Sequence, residues 1–433
     1  MPDAAKLVPD VLAIEPLTHS VDADVTLPGS KSYTNRALIL AAMADGRSTI
    51  TSALYSDDTK YMAESLRRLG VPVHEDADGE TFIVDGQGGR IPAARAELFV
   101  GNSGTTARFI TAMLALGNGE YEVDGTERMR QRPLAPLLDA LAQLGVEVES
   151  LAIVGCPPIR IRSHGLTGGS VRLAGDTSSQ YFSALLMIGP LTHDGLTIAV
   201  DGDLVSKPYI DLTADAMRSF GADMINDEYR AFKVRGDQTY RAIEYAVEPD
   251  ASSASYFFAL AAATGGRVRV LHLGSDSAQG DAHFVDVLEV MGCKVRRGPD
   301  WIEVHGPSKL NGVDVDMNAI SDTVQTLAAI APLASSPVTI RNVAHIRHKE
   351  TDRIAAVATE LNRVGARVEE RPDGLTIHPS QIKPAEIETY DDHRMAMSFA
   401  ILGSVVPGIV IKDPGCVAKT FPDFFERLTA ITA

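Results

Sequence analysis

Basic residues in this sequence gather where helices are about to begin. LPGSKSYTNRAL sets Lys31, Ser32 and Arg36 around one such start, and GNSGTTAR sets Asn102, Gly104, Thr105 and Arg108 around another. TERMRQRP adds Arg128, Arg130 and Arg132. HIRHKETDR carries His345, Lys349, Glu350 and Arg353, DDHRMAM carries His393 and Arg394, and DPGCVAKTFPDF carries Lys419. A helix N-terminus offers free N–H groups and partial positive charge, so it attracts anions. Gly104, lacking a side chain, permits close approach of a ligand to the backbone. Asp322 in SDTVQT and Glu350 beside Lys349 are carboxylates set among these cations. The positive field keeps such groups ionised, and they are the ones placed for proton transfer. Taken one at a time, each polar helix start reads better as a plain cap and each basic cluster as a solvated face or a weak surface ion pair, and Asp322 competes as a plain helix cap. Their recurrence points to a polyanionic small molecule. Nucleotide motifs are excluded: Ser30 stands where a P-loop needs glycine before the lysine, and no GxGxxG opens a helix.

The elements that must position these residues repeat along the chain. ESLRRLGVPV, LDALAQLGVEV, DAMRSFGADM, VLEVMGCKV and ATELNRVGARV each read as an amphipathic helix, a glycine and a short strand. The glycines are Gly70, Gly145, Gly221, Gly292 and Gly365, at spacings of 75, 76, 71 and 73. Each is placed to end its helix in a left-handed turn. A second helix type alternates with the first and is apolar on most sides, as in SYTNRALILAAM, GNSGTTARFITAML, DTSSQYFSALLM and DDHRMAMSFAIL. Such helices belong inside a core. Six copies of about 72 residues fill the 433-residue chain, each a strand–helix–strand–helix–strand–strand unit. The class is α/β. Six buried helices divide most simply into two similar lobes of three units. One lobe is expected over 29–248 and a discontinuous one over 1–28 with 249–433.

Composition sets outer limits. The net charge of −17 disfavours nucleic acid and anionic membranes as partners. Cys156, Cys293 and Cys416 are far apart and in odd number, which fits a reducing, cytoplasmic setting without disulfides or a structural zinc site. The longest apolar run, around 398–411, contains Ser, Gly and Pro and is not expected to span a membrane. Asp3, Asp10 and Glu15 with a single lysine are unlike a targeting leader.

LPGSKSYTNRAL, GNSGTTAR, TERMRQRPLAPLLDAL, TSSQYFSALLM, DLVSKPYIDLT, HKETDR, YDDHRMAMSFA and KTFPDFF together resemble the 3-phosphoshikimate 1-carboxyvinyltransferase (5-enolpyruvylshikimate-3-phosphate synthase) family. The resemblance runs from about residue 27 to residue 425 in family order. It implies the enolpyruvyl transferase fold, an inside-out α/β arrangement with three βαβαββ units per lobe around buried parallel helices. It also implies transfer of the carboxyvinyl group of phosphoenolpyruvate to the 5-hydroxyl of shikimate 3-phosphate. Phosphate leaves by addition and elimination through a tetrahedral intermediate, a step towards chorismate and the aromatic amino acids. No cofactor and no metal are implied. By the same resemblance, Lys31, Ser32, Arg36, Ser178, Ser179, Gln180, Ser206, Asp322, His345 and Lys349 meet shikimate 3-phosphate. Lys31, Gly104, Arg128, Gln180, Arg353, Arg394 and Lys419 meet phosphoenolpyruvate. Asp322, Glu350 and Lys31 are the catalytic set. His345 stands where many relatives have Asn, and Phe109 where many have Pro. Gly104 has no side chain to block glyphosate, the phosphoenolpyruvate mimic.

One rival of the same fold, UDP-N-acetylglucosamine 1-carboxyvinyltransferase, usually carries a reactive Cys in the loop matching GTERMRQR, where this chain has none. A non-catalytic phosphate-binding module is opposed by the joint presence of Lys31, Asp322 and Glu350. The chain is expected to act as a monomer. Shikimate 3-phosphate alone is expected to draw the lobes together, its phosphate on Ser178, Ser179 and Lys31 and its ring reaching Asp322 and Lys349. A bridging ligand lowers the energy of the closed state only. Small-angle scattering with and without shikimate 3-phosphate is the check, and an unchanged radius of gyration would mean that no closure occurs.

Overall fold

A computed structural model describes residues 9–76 and 79–432. Contacts within the chain divide it into two compact units, Pro28–Asp250 and the chain on either side of it.

Among the described residues, Pro28–Asp250 holds three four-stranded sheets with one strand order. In the middle sheet, Arg95–Phe99 runs parallel to Asn118–Asp124, which pairs antiparallel with Ile159–His164, itself antiparallel to Glu147–Ser150. The crossover between the parallel strands is the helix Gly104–Leu114, every residue of which is buried. The next sheet repeats the pattern, with the buried helix Ser179–Ile188 between Gly169–Ala174 and Leu196–Asp201. In the first sheet the helix Lys31–Met43 leads into Asp45–Thr51, but the parallel partner comes from the far end of the unit, Glu244–Ala246. The two ends of the unit are therefore stitched side by side, through a Gly29–Pro249 bridge and an Asp250 N–H bond to the Pro28 carbonyl.

The other unit has two four-stranded sheets of the same order and a three-stranded one. The parallel pair Asp22–Val25 and Arg267–Leu271 flanks the helix Ala251–Thr264 in the sheet, and Asp314–Asp316 with Val338–Arg341 flanks Val324–Ile330. Ala385–Ile387 and Ile409–Lys412 flank His393–Gly403, with Val11–Ala13 added antiparallel. Ala251–Thr264, Val324–Ile330 and His393–Gly403 pack on one another. Their small and aliphatic residues on every side allow this close approach.

The amphipathic helices end alike. Gly70, Gly145, Gly221, Gly292 and Gly365 have φ of 86°, 87°, 92°, 103° and 86°. At each, the next residue's N–H reaches back to a carbonyl five residues earlier, as in Val71 to Leu66 and Ala366 to Leu361. This satisfies carbonyls that the helix leaves open and turns the chain into its strand, and a side chain at these φ values is strained.

One sheet carries a buried charge. Glu303, 1% exposed, accepts 2.9 Å bonds from the Nε of Arg267 and of Arg269, and its other oxygen is 2.9 Å from His305 Nε2. Burial alone would raise its pKa, but the bonds from His305, Arg267 and Arg269 overcome this and hold it at about 2 instead of 4.5. Between those values the unfolded chain binds the proton that the folded chain refuses. The contribution to stability is thus present above about 4.5 and is lost as pH falls towards 2. Glu303→Gln is expected to cost about 1–3 kcal/mol at neutral pH and less near pH 3. Urea unfolding at both pH values tests this, and an equal loss at each would refute it.

Candidate active site

In Pro28–Asp250 the polar groups collect at the starts of the buried helices. Ser30 caps Lys31–Met43, its Oγ accepting the Tyr33 N–H at 3.4 Å. The Lys31 N–H donates to Asp250 Oδ2 at 3.0 Å, and its ammonium lies 3.6 Å from the buried carboxylate of Asp58. Ser32 is half-buried beside it. Arg36 lies deeper, 1% exposed. It donates from Nε to Thr213 Oγ1 (2.8 Å), from Nη1 to the Ser32 carbonyl (3.0 Å), and from Nη2 to Ser183 Oγ (3.3 Å) and the Tyr209 carbonyl (3.2 Å). Loss of water lowers its pKa to about 10, still well above neutral. In this arrangement Arg36 ties its own helix to Ser179–Ile188 and Pro208–Ser219.

A second knot forms around Gly104. A Cβ there would sit 2.4 Å from Arg108 Nη1 and 2.5 Å from Arg132 Nη2. Arg132 Nη1 donates to the Asn102 carbonyl (2.9 Å) and Oδ1 (3.2 Å). Arg108 Nη1 donates to Gln180 Oε1 at 2.9 Å, and Gln180 Nε2 donates to Thr105 Oγ1 at 3.2 Å. This fixes the Gln180 amide between two helix starts. Ser178 caps the second of these, accepting the Gln180 N–H at 3.3 Å, with Ser179 buried next to it. Ser206 is buried with φ of 54°, a left-handed conformation uncommon for residues other than glycine. Arg128 is half-buried and donates to Gln131 Oε1 at 3.4 Å.

In the other unit the groups form one ionic cluster. The sequence placed Asp322 at the start of a buried helix, yet the chain first makes a 3-10 turn, Asn318–Thr323, and the cap position of Val324–Ile330 is Thr323. Asp322 turns to the arginines. Its Oδ1 accepts from Arg353 Nη1 (3.1 Å), its Oδ2 from Arg394 Nη2 (2.8 Å), and Lys349 Nζ is 3.7 Å away. Arg353 opens the helix Arg353–Arg363 and also donates from Nη2 to Glu350 Oε2 at 2.8 Å. Arg394 Nη1 lies 3.4 Å from the Tyr256 hydroxyl. His345, buried in the turn Ala344–His348, has its pKa pushed down to about 3, by burial first and by Lys349 next. It is neutral at pH 7, as the amide of an Asn would be. Lys419 is buried in the turn Pro414–Lys419. Two acids missing from the expected set join these clusters. Asp58 meets Lys31, and Asp392 meets Arg353. Asp392 sits inside DDHRMAM, so its neighbourhood was legible. Asp58 lies in a different helix from Lys31, and nothing local marks the pairing.

The family model described as EPSP synthase (3-phosphoshikimate 1-carboxyvinyltransferase) matches residues 17–428. Curated relatives named 3-phosphoshikimate 1-carboxyvinyltransferase match at nearly full length. One from Nostoc punctiforme is 54% identical over 418 residues, covering 96% of this chain and 98% of its own. One from Serratia proteamaculans is 47% identical over 426 residues, covering 98% and 99%. The solved EPSP synthase of Acinetobacter baumannii superposes with a TM-score of 0.81 at 25% identity, over 97% of this chain and 98% of that one. The enolpyruvyl transferase NikO of Streptomyces tendae shares the fold, with a TM-score of 0.77 at 21% identity over 97% of each chain. The architecture is thus that of the enolpyruvyl transferases, a class of transferring enzymes. Within it, the chain belongs to the EPSP synthase family.

The contacts at Gly104 give a direct test. Gly104→Ala must push aside the ends of Arg108 and Arg132. The expected outcome is a KM for phosphoenolpyruvate raised about tenfold, the size of one charge-assisted bond, with the urea midpoint little changed. An unaltered KM would mean that both guanidiniums can swing away without consequence.

Proposed function

We propose that this protein joins phosphoenolpyruvate to shikimate 3-phosphate, forming 5-enolpyruvylshikimate 3-phosphate and inorganic phosphate. The observation that carries the reading is the cluster in which Asp322 and Glu350 share Arg353, with Lys349 and Arg394 beside them. It brings two proton-transfer groups and three cations to one place. Each substrate carries a phosphate and a carboxylate, so their mutual repulsion has to be offset before they react. Cations and helix N-termini already in position do this with little reorganisation.

In the addition step the 5-hydroxyl oxygen bonds to C2 of phosphoenolpyruvate. Asp322 takes the hydroxyl proton, and Glu350, which enters this step protonated, gives its proton to C3, which becomes a methyl group. In the elimination step a methyl proton returns to Glu350, the C2–O bond to phosphate breaks as the C2–C3 double bond reforms, and the departing phosphate takes up the proton that Asp322 holds. Lys31, paired with Asp58, is assigned to both substrates in this reading. Ser32, Arg36, Ser178, Ser179, Gln180, Ser206, His345 and Lys349 hold shikimate 3-phosphate in this reading. Gly104, Arg128, Gln180, Arg353, Arg394 and Lys419 hold phosphoenolpyruvate. Arg36 would have to trade a protein partner for the ligand, since its guanidinium is bonded to Thr213, Ser183 and Tyr209. The enzyme acts as a cytoplasmic monomer. The net charge of −17 and three buried free cysteines support this setting, and no helix among the described residues is long and apolar enough to cross a membrane.

Phosphate release on mixing the two substrates with the protein tests the reading. Release is expected only with both present, and none above the single-substrate controls would sink it. Asp322→Ala is expected to lower kcat by about 10²–10⁴, the usual cost of losing a general base, while shikimate 3-phosphate still binds by titration calorimetry. Normal turnover in a variant that merely melts earlier would make Asp322 structural.

A further inference from the structure

Asp392 is fully buried and is the carboxylate of the cluster that no ligand can reach. It follows two left-handed residues, Tyr390 (φ 56°) and Asp391 (φ 53°), and begins the helix His393–Gly403. Its Oδ2 accepts from Arg353 Nε at 2.8 Å, and its Oδ1 accepts from Arg353 Nη2 at 3.3 Å and from the Arg394 N–H at 2.9 Å. One carboxylate therefore grips the side chain of one arginine in a two-point fork and the backbone of the other. The fork leaves Arg353 a different nitrogen, Nη1, for Asp322.

We infer that Asp392 is a positioning residue for the anion site: it is the permanent counter-ion that keeps Arg353 and Arg394 side by side while Nη1 of Arg353 exchanges Asp322 for a carboxylate of the substrate. The inference rests on the proposed function. A guanidinium removed from water needs a charge partner at all times. If Asp322 were the main partner of Arg353, each turnover would strip that partner away when Asp322 takes its proton. Asp392 removes the difficulty, because it engages the opposite edge of the fork and is out of reach of the chemistry. Two-point geometry also fixes the plane of the guanidinium, which one-point contacts to Asp322 and Glu350 leave free to rotate. The backbone bond to Arg394 sets the second arginine at a fixed step along its helix.

The test uses the full-length protein and two variants. Asp392→Asn and Asp392→Ser both keep an oxygen able to cap the helix, but both lose the charge that faces Arg353. In each, the KM for phosphoenolpyruvate is expected to rise about 10- to 100-fold, as when a charge-assisted bond is lost. The Kd for shikimate 3-phosphate alone, measured by titration calorimetry, is expected to change less than about twofold. Adding either substitution to Arg353→Ala is expected to raise the KM no further, since Asp392 acts through Arg353. A KM equal to wild type, an equal loss for both ligands, or full additivity with Arg353→Ala would overturn the inference. So would failure of both variants to fold, which would make Asp392 a folding determinant. Failure of the proposed function shows itself separately, as absence of phosphate release by the unaltered protein.

Discussion

Arg353 must keep its charge out of contact with water, and the ionic cluster in its unit is arranged around that demand. Burial alone would lower its pKa, but Asp392, Glu350 and Asp322 more than reverse the effect, so the guanidinium stays firmly protonated. A buried ion whose partners are incomplete is costly, and each of those partners is correspondingly held in place. Asp392 is held by its helix, Glu350 by the short link to the helix that Arg353 opens, and Asp322 by the 3-10 turn before Val324–Ile330. The cluster is in this way structured in advance, with Asp322, Glu350 and Asp392 each bonded to a guanidinium. Preorganisation of this kind is what lowers the cost of bringing two polyanions together.

The other unit solves a related problem with neutral groups. Arg108 and Arg132 converge over Gly104, and their named partners are amide and carbonyl oxygens of Gln180 and Asn102. Lys31 is the exception, leaning on Asp58. The contrast is electrostatic. Three carboxylates sit with the Arg353 group, whereas the Gly104 group offers donors and helix ends. Gly104 and Arg394 stand on helices buried on all sides, while Arg353 opens an amphipathic one; buried helices can only be stacked if their sheets wrap outside them. The repeated strand order, one parallel pair followed by an antiparallel hairpin, supplies that wrapping in each sheet of four strands.

Much of this was legible beforehand because it is local. Helix periodicity, the five spaced glycines and the polar starts of the apolar helices depend on residues within one turn or one loop of each other, and the glycines do adopt left-handed φ. Family membership followed from motifs that keep their order along the chain. What local reading got wrong also has a local cause: an α-helix start and a 3-10 turn draw on the same Asp, Ser and Thr preferences, so SDTVQT could not reveal that Thr323 and not Asp322 occupies the cap.

The amino-acid sequence by itself determined the class of fold, the repeated unit, the buried and exposed helix types, and which charged residues are available for chemistry. Only the tertiary structure decided how those charges are paired. It set Arg36 among Thr213, Ser183 and Tyr209, Lys31 against Asp58, and Arg353 between Asp392, Glu350 and Asp322. The physical reason is range. Periodicity and capping are set by neighbours a few residues away, whereas an ion pair depends on side-chain atoms within about 4 Å that arrive from helices and turns distant in sequence. That proximity exists only once the sheets and buried helices have packed.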